Sequence, residues 1–371
     1  RNITMKIRTQ LSLCDGLSGG QIAGDKIGMI ADTYIASEID PHAIKITQKN
    51  YPNTIQVGDM TEWRSWDIDW SKVDLVTAGF PCQAWSVAGQ QMGDRDPRGQ
   101  LFWVVLDIMQ HVLEHNPNAK YLMENVRMSN AFEEYITYHT EQALPNVNKY
   151  LINSALVSAQ NRKRFYWTNI EGVEQPEDKG IVLKDILEDG LTDRTKSHCL
   201  DANYFKGGNL KSYFEKHRRQ LVFSPNGMCH VGDADLNGNQ SIKRVYAAEG
   251  KAPTLTTMGG GHREPKVLVK GGRMVGRRLD ENGTRKDYDT SIPIKQMIEV
   301  REDDKTNCLT TVTKDSILIE DMSWRKLTPL ECERLQTIPD GYTEGVSNTQ
   351  RYKMLGNGWT VDVIAHILRG L

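Results

Sequence analysis

The stretch of sequence that decides the fold is VDLVTAGFPCQ, residues 73–83. Its apolar first part, residues 73–78, has the length of a buried strand, and Gly79 favours a turn directly after it. A cysteine just beyond the carboxyl end of a parallel strand lies where open α/β sheets place their active sites. Cys82 is therefore a candidate nucleophile, aimed by a loop that Pro81 stiffens. Taken alone, it fits a small buried cysteine at a strand end equally well.

Strand-like and helix-like stretches alternate on both sides of this segment. Short apolar runs predict strands at residues 11–14, 34–38, 54–57, 73–78, 121–123 and 165–167. Helical periodicity predicts helices at residues 41–50, with proline in the first turn, and at residues 101–115. Alternating β and α units imply an α/β fold with a doubly wound, mostly parallel sheet.

The character of the chain changes from about residue 173, where glycine, asparagine and basic residues become frequent and strand-like pieces become short. Order returns near Trp324, and Thr328 with Glu331 three residues later predicts a capped helix start. A last apolar periodic stretch, residues 361–371, predicts a closing helix. We therefore expect two domains: a cofactor-binding catalytic domain of residues 5–172 and 318–371, and a smaller, irregular, mainly β domain of residues 173–317.

The composition excludes several classes of protein. The chain has 371 residues, of which 39% are hydrophobic and 25% charged, as in globular proteins with a sizeable core. Because no run reaches the roughly 18 apolar residues of a membrane span and no secretory leader is present, we expect a cytoplasmic protein without membrane contact. The six cysteines form no C-x-x-C pair and no cluster with histidines, which indicates a reducing compartment and no metal site.

The net charge of -2 hides an asymmetry. Residues 196–286 contain 17 Lys or Arg against 8 Asp or Glu, a local balance of +9, so the remainder carries -11. A basic module on an acidic body suits a polyanion such as nucleic acid, although a solvated, loop-rich surface would look similar.

Three strand ends carry residue types that bind an adenosine-containing cofactor. A glycine-rich turn at residues 14–20 lets a ligand approach the backbone at a helix N-terminus. Glu38 ends the second predicted strand, where an acid binds ribose hydroxyls, and Asp59 after the third could accept a bond from an adenine amino group. Each acid alone also fits a surface carboxylate, but the three features together favour a nucleoside. No dinucleotide fingerprint or P-loop is present, which disfavours NAD and ATP.

Two further polar sets follow the later strands, and they complete an ordered series of motifs. Glu124 ends the fifth predicted strand, next to the fourth, so it can converge with Cys82 on one ring. With these residues the sequence closely resembles the C5-cytosine DNA methyltransferase family over nearly the whole chain. The matching motifs, in the family's order, are residues 15–20, Glu38, Asp59, Phe80-Pro81-Cys82-Gln83, Glu124-Asn125-Val126, Gln160-x-Arg162-x-Arg164, residues 325–336 and Gly356-Asn357-Gly358. Any one motif is moderately specific, and the ordered set is very specific.

Within the family, residues 1–130 are most similar to the branch that contains the animal de novo enzymes, and the variable part to phage and bacterial enzymes. Asp15 stands where many relatives have an aromatic residue, and Trp359 where many carry serine or valine. Both departures alter the rim of the cofactor site, and neither removes a catalytic group.

The resemblance implies a DNA (cytosine-5-)-methyltransferase with a Rossmann-like, class I methyltransferase fold, which uses S-adenosylmethionine and releases S-adenosylhomocysteine. Cys82 would attack C6 of a flipped-out cytosine, and Glu124 would hold N3 and the 4-amino group. Arg164 would contact O2 and a phosphate, and Arg162 would brace Glu124. The implied cofactor residues are Asp15, Gly16, Leu17, Ser18, Gly19, Glu38, Ile39, Asp59, Met60, Pro81, Leu101, Asn357 and Trp359.

The resemblance also implies double-stranded DNA as the partner and residues 173–317 as the target-recognition domain. The expected DNA contacts are Gln83, Ser86, Gln91, Gln160, Arg244, Thr256, Arg263, Arg273 and Arg277. Basic residues there would hold phosphates, and an arginine to guanine would be the favoured base contact. Residues 86–99 are rich in glycine, glutamine and charge, which predicts a loop that closes over DNA or an ordinary surface loop.

Two other functions stay open at this point: an RNA (tRNA) cytosine-5 methyltransferase on the same scaffold, and a catalytically silent DNA-binding paralogue. The long basic, glycine-rich segment favours duplex DNA, and the intact set of Cys82, Glu124 and Arg164 argues against a silent protein. We expect a monomer encoded by a bacterium or phage, and the sequence favours neither the presence nor the absence of a cognate restriction nuclease.

Overall fold

The structure is a computed structural model of the 371-residue chain. It describes residues 5–81, 99–207, 213, 216–225, 230–233, 244–247, 266–268, 271–280, 284–300, 317–318 and 322–371. The chain divides into two compact units. The larger unit comprises Arg1–Ile186, Thr195–Gly207 and Thr328–Leu371, and the smaller one Leu187–Arg194 and Gly208–Leu327.

A seven-stranded sheet forms the centre of the larger unit, with the strand order β3-β2-β1-β4-β5-β7-β6. The strands are β1 (Met5–Leu13), β2 (Met29–Ser37), β3 (Ile55–Gln56), β4 (Val73–Ala78), β5 (Lys120–Val126), β6 (Asn148–Asn153) and β7 (Lys163–Thr168). Strands β1 to β5 are parallel to one another, and β7 runs antiparallel to both β5 and β6. The predicted doubly wound, mostly parallel sheet is confirmed.

Helices connect and flank the strands. They are α1 (Gly19–Ile27), α2 (Pro41–Asn50), α3 (Leu101–His115), α4 (Asn130–Ala143), α5 (Leu183–Ile186), α6 (Pro329–Leu335), α7 (Asn348–Asn357) and α8 (Val361–Leu368). The predicted bounds of α2 and α3 are confirmed, as is the capping box at the start of α6. In the part of the chain that the structure describes, no helix combines the length and apolarity needed to cross a membrane.

The sheet is buried where it carries the site. Val76 of β4, Met123 of β5 and Phe102 of α3 are all almost completely buried in one continuous core. Complete burial of a side chain of this size stabilises a fold by about 1.5–3 kcal/mol. The apolar run that predicts β4 therefore anchors the strand that leads to Phe80 and Pro81.

The register of the strands brings several carboxyl ends to one level. Leu13 of β1 pairs with Ser37 of β2 and with Ala78 of β4, and Ala78 pairs with Met123 of β5. The residues that follow these four positions therefore leave the sheet side by side. Because β1 lies between β2 and β4, the chain turns away in opposite directions here, which is where open α/β sheets hold ligands.

The smaller unit is mainly β in its described part. Its strands are β8 (Leu221–Pro225), β9 (His230–Asp233), β10 (Arg244–Ala247), β11 (Lys266–Leu268), β12 (Gly271–Arg277), β13 (Lys295–Val300), β14 (Ile317–Leu318) and β15 (Met322–Lys326). They form two three-stranded sheets, β11-β10-β9 and β13-β12-β14, and the pair β15-β8.

The division of the chain differs in detail from the predicted boundaries at residues 172/173 and 317/318. Residues 173–186 and 195–207 belong to the larger unit, where Ser197 donates its backbone N–H to Ala159 and accepts from Asn161. Residues 318–327 belong to the smaller unit, because β15 pairs with β8 along its whole length. The functional assignment of the two units stays a prediction.

Candidate active site

A cavity of about 290 Å³ lies at the carboxyl edge of the sheet. Its walls come from the ends of β1, β2, β4 and β5 and from the segment that joins α7 to α8. It is lined by twelve of the thirteen predicted cofactor residues, namely Asp15, Gly16, Leu17, Gly19, Glu38, Ile39, Asp59, Met60, Pro81, Leu101, Asn357 and Trp359. It is also lined by Glu124, Arg162 and Arg164, so three of the four predicted catalytic residues share one space with the predicted cofactor set.

The turn after β1 bends through an unusual backbone. Cys14, Gly16 and Ser18 have φ of 53°, 59° and 62°, in the left-handed region that favours glycine. At Gly16 no atom would lie within 4 Å of an added Cβ, so the backbone there is open toward the cavity.

Asp15 holds that turn together from inside. Its carboxylate accepts hydrogen bonds of 2.6 Å from Ser18 Oγ and 2.6 Å from Tyr34 Oη. Burial raises the pKa of Asp15 to about 6, although these hydrogen bonds act in the opposite direction. Ser18, predicted to bind the cofactor, is completely buried and also contacts Thr47 Oγ1 at 3.2 Å, so its side chain serves the turn instead of the cavity.

Glu38 is the most strongly fixed acid of the site. Its Oε2 accepts from the backbone N–H of Gly16 at 2.7 Å, and its Oε1 accepts from Ile39 and Asp40 at 2.8 Å each. A carboxylate held by three N–H groups keeps one orientation and still has lone pairs for two hydroxyl groups. This arrangement can bind the diol of a ribose.

Asp59 follows the short strand β3 and begins a 3₁₀ turn, Met60–Ser65. Its Oδ1 caps this turn by accepting from Thr61 N and Thr61 Oγ1, both at 2.9 Å. Among the described residues, its Oδ2 has no hydrogen-bond partner, so one oxygen is available to an amino group. The capping role and the binding role therefore use different oxygens.

Glu124 projects into the cavity from β5 and accepts two donors. Arg164 Nε lies 3.0 Å from its Oε1, and Trp359 Nε1 lies 3.1 Å from its Oε2. The side chains of this ion pair are only 10% and 12% exposed, so its charges interact in a weakly polar environment. The bond from Trp359 joins a residue predicted for the cofactor to one predicted for catalysis.

Arg162 has partners other than the one predicted. It was expected to brace Glu124, but its guanidinium donates to Leu200 O at 2.8 Å and to Gly358 O at 2.8 Å. It also reaches Gly356 O at 3.2 Å. Arg162 is 3% exposed, so these bonds clamp the segment between α7 and α8 from beneath. The direct brace on Glu124 comes from Arg164 instead.

Cys199 was not recognised from the sequence. Its Sγ lies 3.4 Å from Arg162 Nη1 and 3.8 Å from Arg164 Nη2. Burial acts to raise the pKa of its thiol, but the two guanidiniums outweigh burial and hold the pKa below its usual value. No sequence pattern marks this position, because its role depends on two arginines more than thirty residues away.

Asn125 connects the end of β5 to the loop that follows β4. Its side-chain amide donates to Phe80 O at 3.2 Å, and its Oδ1 accepts from Val126 N. This bond fixes Phe80, two residues before Cys82 in the sequence, relative to Glu124. Cys82 itself, with Gln83, Ser86, Gln91, Thr256, Arg263 and the loop of residues 86–98, lies outside the described residues.

Two predicted DNA contacts are engaged elsewhere. Gln160 is completely buried and donates to Leu335 O at 2.8 Å and Gln336 Oε1 at 2.9 Å, so it supports the fold and is not exposed to DNA. Arg277 pairs with Asp287 at 3.2 Å and its side chain is 12% exposed. For Arg244 and Arg273 only the strand positions are described.

One group of side chains with metal-ligand chemistry lies outside the cavity. Ligand atoms of His111, Glu114 and His115 on α3 lie within 4.8 Å of one another. The His111 ring packs against Trp63 and Trp70 with centroid distances of 5.0 and 4.9 Å, as a histidine in an aromatic cluster does. The expectation of a protein without a metal stays a prediction.

Comparison with known proteins agrees with this geometry. The model of the C-5 cytosine-specific DNA methylase family matches residues 9–371. The orphan methyltransferase M.SPBetaI of Bacillus phage SPbeta is 27% identical over 97% of this chain and 96% of its own. The type II methyltransferase M.HpaII of Haemophilus parainfluenzae is 28% identical over 96% of this chain and 87% of its own.

Solved structures support the fold. A methyltransferase of Entamoeba histolytica, EhMeth, superposes with a TM-score of 0.57 at 15% identity over 99% of this chain and 98% of its own. The Dnmt2 methyltransferase of S. pombe gives 0.51 at 16% identity, over 97% of each chain.

The cofactor of this family, S-adenosylmethionine, fits the residues of the cavity. Glu38 offers a fixed carboxylate to a ribose diol, and Asp59 offers one oxygen to an adenine amino group. The open backbone at Gly16 lets a ligand approach the turn. The chain belongs to the C-5 cytosine-specific DNA methylase family and is an S-adenosylmethionine-dependent DNA cytosine methyltransferase.

Proposed function

We propose that the chain methylates C5 of a flipped-out cytosine in double-stranded DNA through a covalent bond between Cys82 Sγ and C6. Cytosine C5 is too weakly nucleophilic to attack the methyl group of a sulfonium unaided. A thiolate that adds to C6 makes C5 enamine-like, so this chemistry requires a nucleophilic cysteine beside a group that holds the ring.

The observation that carries the proposal is the mostly buried pair of Glu124 and Arg164 beside the loop that leads to Cys82. Ala78 of β4 pairs with Met123 of β5. Cys82 follows Ala78, the last residue of β4, by four residues, and Glu124 directly follows Met123 in β5. Two side chains that come from adjacent strands at the same edge of the sheet can act on the same pyrimidine ring.

The residues then have separate tasks during the reaction. As Sγ bonds to C6, negative charge builds toward N3 and O2, where donors stabilise it. Glu124 shares a proton with N3 and accepts from the 4-amino group, and Arg164 supports the charge at O2. After C5 takes the methyl group, a base removes the C5 proton. Those electrons re-form the C5–C6 double bond as the C6–S bond breaks and returns the thiolate.

The cofactor half of the cavity holds the methyl donor against this ring. Glu38 would bind the ribose diol and Asp59 the adenine amino group, with Ile39 and Met60 beside the base. Bound S-adenosylmethionine supplies an electrophilic methyl group, and S-adenosylhomocysteine is the product.

The target cytosine must be flipped out of the DNA helix, because C5 and C6 are inaccessible in a stacked duplex. We assign the smaller unit to target recognition, where Lys216, Arg218, Arg285 and Lys286 are exposed and can contact phosphates. Such contacts position the duplex and make binding weaker at high salt. Since the two sequence relatives come from a bacterium and a phage, we place the enzyme in the bacterial cytoplasm. We further propose that it acts as a monomer.

The test is whether the protein becomes covalently trapped on duplex DNA that contains 5-fluorocytosine, in the presence of S-adenosylmethionine. Fluorine at C5 cannot leave as a proton does, so the covalent complex persists on a denaturing gel. We expect the wild-type chain to form it and Cys82→Ala to form none. A folded wild-type chain that methylates DNA without forming this complex would overturn the covalent mechanism.

The same purified protein distinguishes the proposal from the two other functions, an RNA (tRNA) cytosine-5 methyltransferase and a catalytically silent DNA-binding paralogue. Methyl transfer from labelled S-adenosylmethionine is compared on duplex DNA and on tRNA, with Cys82→Ala as the background. Transfer to DNA alone supports the proposal, and transfer to tRNA alone contradicts it. A wild-type signal no higher than that of Cys82→Ala on both substrates would identify a silent paralogue.

A further inference from the structure

Trp359 occupies a space that two glycines leave open. An added Cβ at Gly79, at the end of β4, would lie 2.8 Å from Trp359 Nε1. An added Cβ at Gly19, at the start of α1, would lie 3.4 Å from Trp359 Cε3. The indole therefore lies against the backbone at the start of α1 and just after β4, and its nitrogen is directed to β5, where it meets Glu124 Oε2 at 3.1 Å.

The loop that carries Trp359 is held independently of Glu124. The carbonyl of Gly358 accepts from Arg162 Nη2 at 2.8 Å and from Gln336 Nε2 at 3.1 Å. The N–H of Gly358 donates to Met354 O at 2.8 Å, which continues the last turn of α7. Arg162 and Gln336 are both almost completely buried, so the position of the indole nitrogen is set by the fold.

A glutamate carboxylate rotates readily about its last bond, because that torsion has broad minima. Arg164 alone would hold Oε1 and leave the plane of the carboxylate free to turn around that contact. With Trp359 on Oε2, both oxygens are fixed, and each retains a lone pair for a further partner. Fixed acceptors of this kind need no reorganisation when the substrate arrives.

We propose that Trp359 is a positioning residue for Glu124, and that Arg162 acts on Glu124 through the loop that carries this indole. The N–H of Trp359 sets the plane in which Glu124 meets N3 and the 4-amino group of the target cytosine. This inference rests on the proposed role of Glu124 toward cytosine. It gives Trp359 a task that differs from contact with the methyl donor.

The test is Trp359→Phe, which keeps an aromatic ring against Gly19 and Gly79 and removes the N–H. A hydrogen bond to a charged group is worth about one to two powers of ten in an equilibrium or rate. We expect the rate of covalent trapping on 5-fluorocytosine DNA, at saturating S-adenosylmethionine, to fall at least about tenfold. The dissociation constant for S-adenosylmethionine, measured by calorimetry, should change less than about threefold, because the ring remains in place.

Trp66→Phe is the matched control. The Trp66 indole nitrogen is buried and has no hydrogen-bond partner among the described residues, and its ring stacks on Trp70 outside the cavity. The same chemical change there should leave the trapping rate unchanged. If Trp359→Phe does not fold, benzothienylalanine at position 359 keeps the bicyclic shape and also lacks the N–H.

The outcomes separate this inference from the proposed function. A trapping rate equal to that of the wild type in a folded Trp359→Phe chain would overturn the positioning role. So would a weaker affinity for S-adenosylmethionine with a normal trapping rate, since Trp359 would then be a cofactor contact only. A wild-type chain that is never trapped would contradict the covalent mechanism itself, whatever the variant does.

Discussion

Gly356 lies in the last turn of α7. The loss of folding stability on the substitution Gly356→Ala follows from the atoms that surround this position. An added Cβ would lie 2.2 Å from the carbonyl carbon of Asp201, 2.3 Å from its oxygen and 2.4 Å from the nitrogen of Ala202. Carbon atoms in contact normally lie about 3.5–4 Å apart, so the two backbones must separate by more than about 1 Å. No side-chain rotation can relieve this contact, because all three atoms belong to the main chain.

The expected loss is worked from two opposing contributions. Forcing extra volume into a packed site costs about 1–3 kcal/mol, and a rigid backbone neighbour places Gly356→Ala at the upper end. Alanine in a helix gains back about 0.5–1 kcal/mol relative to glycine. We therefore expect the free energy of unfolding to fall by about 2 kcal/mol.

Gly24→Ala is the matched comparison, since Gly24 is also a buried helical glycine, in α1. Its added Cβ would lie 3.0 Å from Met29 Cε, the end of a flexible side chain that can move aside. Urea unfolding followed by circular dichroism should show Gly24→Ala within about 0.5 kcal/mol of the wild type. A Gly356→Ala chain as stable as Gly24→Ala would refute the close contact between α7 and residues 201–202.

Three further predictions concern the polar groups of the cavity. Because burial raises the pKa of Asp15 from 3.8 to about 6, the native state binds more protons than the unfolded chain between these values. The free energy of unfolding of the wild type relative to Asp15→Asn should therefore fall as the pH rises through about 6, by up to about 3 kcal/mol. The measurement is the midpoint of urea unfolding of both proteins over this pH range. A difference between the two midpoints that does not change with pH would contradict this prediction. Glu38→Gln turns one acceptor into a donor that faces backbone N–H groups, so calorimetry should show that S-adenosylmethionine binds roughly 10- to 100-fold more weakly. Glu141 is exposed, and the control variant Glu141→Gln should bind S-adenosylmethionine as tightly as the wild type. Arg164→Lys removes the Nε contact with Glu124 and should slow trapping on 5-fluorocytosine DNA at least about tenfold with unchanged cofactor affinity; equal loss of cofactor affinity would argue against the assigned role.

The elements best predicted from the sequence are those that the core buries along their whole length. Strand β4 is buried at every position except the half-buried Asp74 and ends just before Gly79, and α3 has one continuous apolar face. Strand β1 was predicted only over residues 11–14, although it begins at Met5. Its first half alternates partly buried and exposed residues, and there Arg8 pairs with Asp74 of β4, so polar contacts sustain the strand where apolar pattern does not.

In the site, too, residues that a sequence pattern marks were predicted better than contacts that depend on packing. Glu38, Asp59 and Glu124 were placed because each lies at or just after the end of a predicted strand, and the register of a parallel sheet then brings these positions together. The partners of Arg162 were predicted wrongly, because they are carbonyl groups of Gly358 and Leu200, which any residue type presents. Backbone acceptors leave no mark in a sequence, so only packing could identify them.

Gly79 and Trp359 illustrate how such packing relates distant parts of one chain. From the sequence, Gly79 is a turn residue after β4 and Trp359 a large residue on the cofactor rim. In the structure, any side chain at position 79 would displace the indole nitrogen that holds Glu124, since an added Cβ would lie 2.8 Å from it. The glycine that ends the strand leading to Cys82 therefore also leaves room for the donor that orients Glu124. The backbone that leads to Cys82 and the carboxylate of Glu124 depend on the same small space, so a change at position 79 or at position 359 can disturb both.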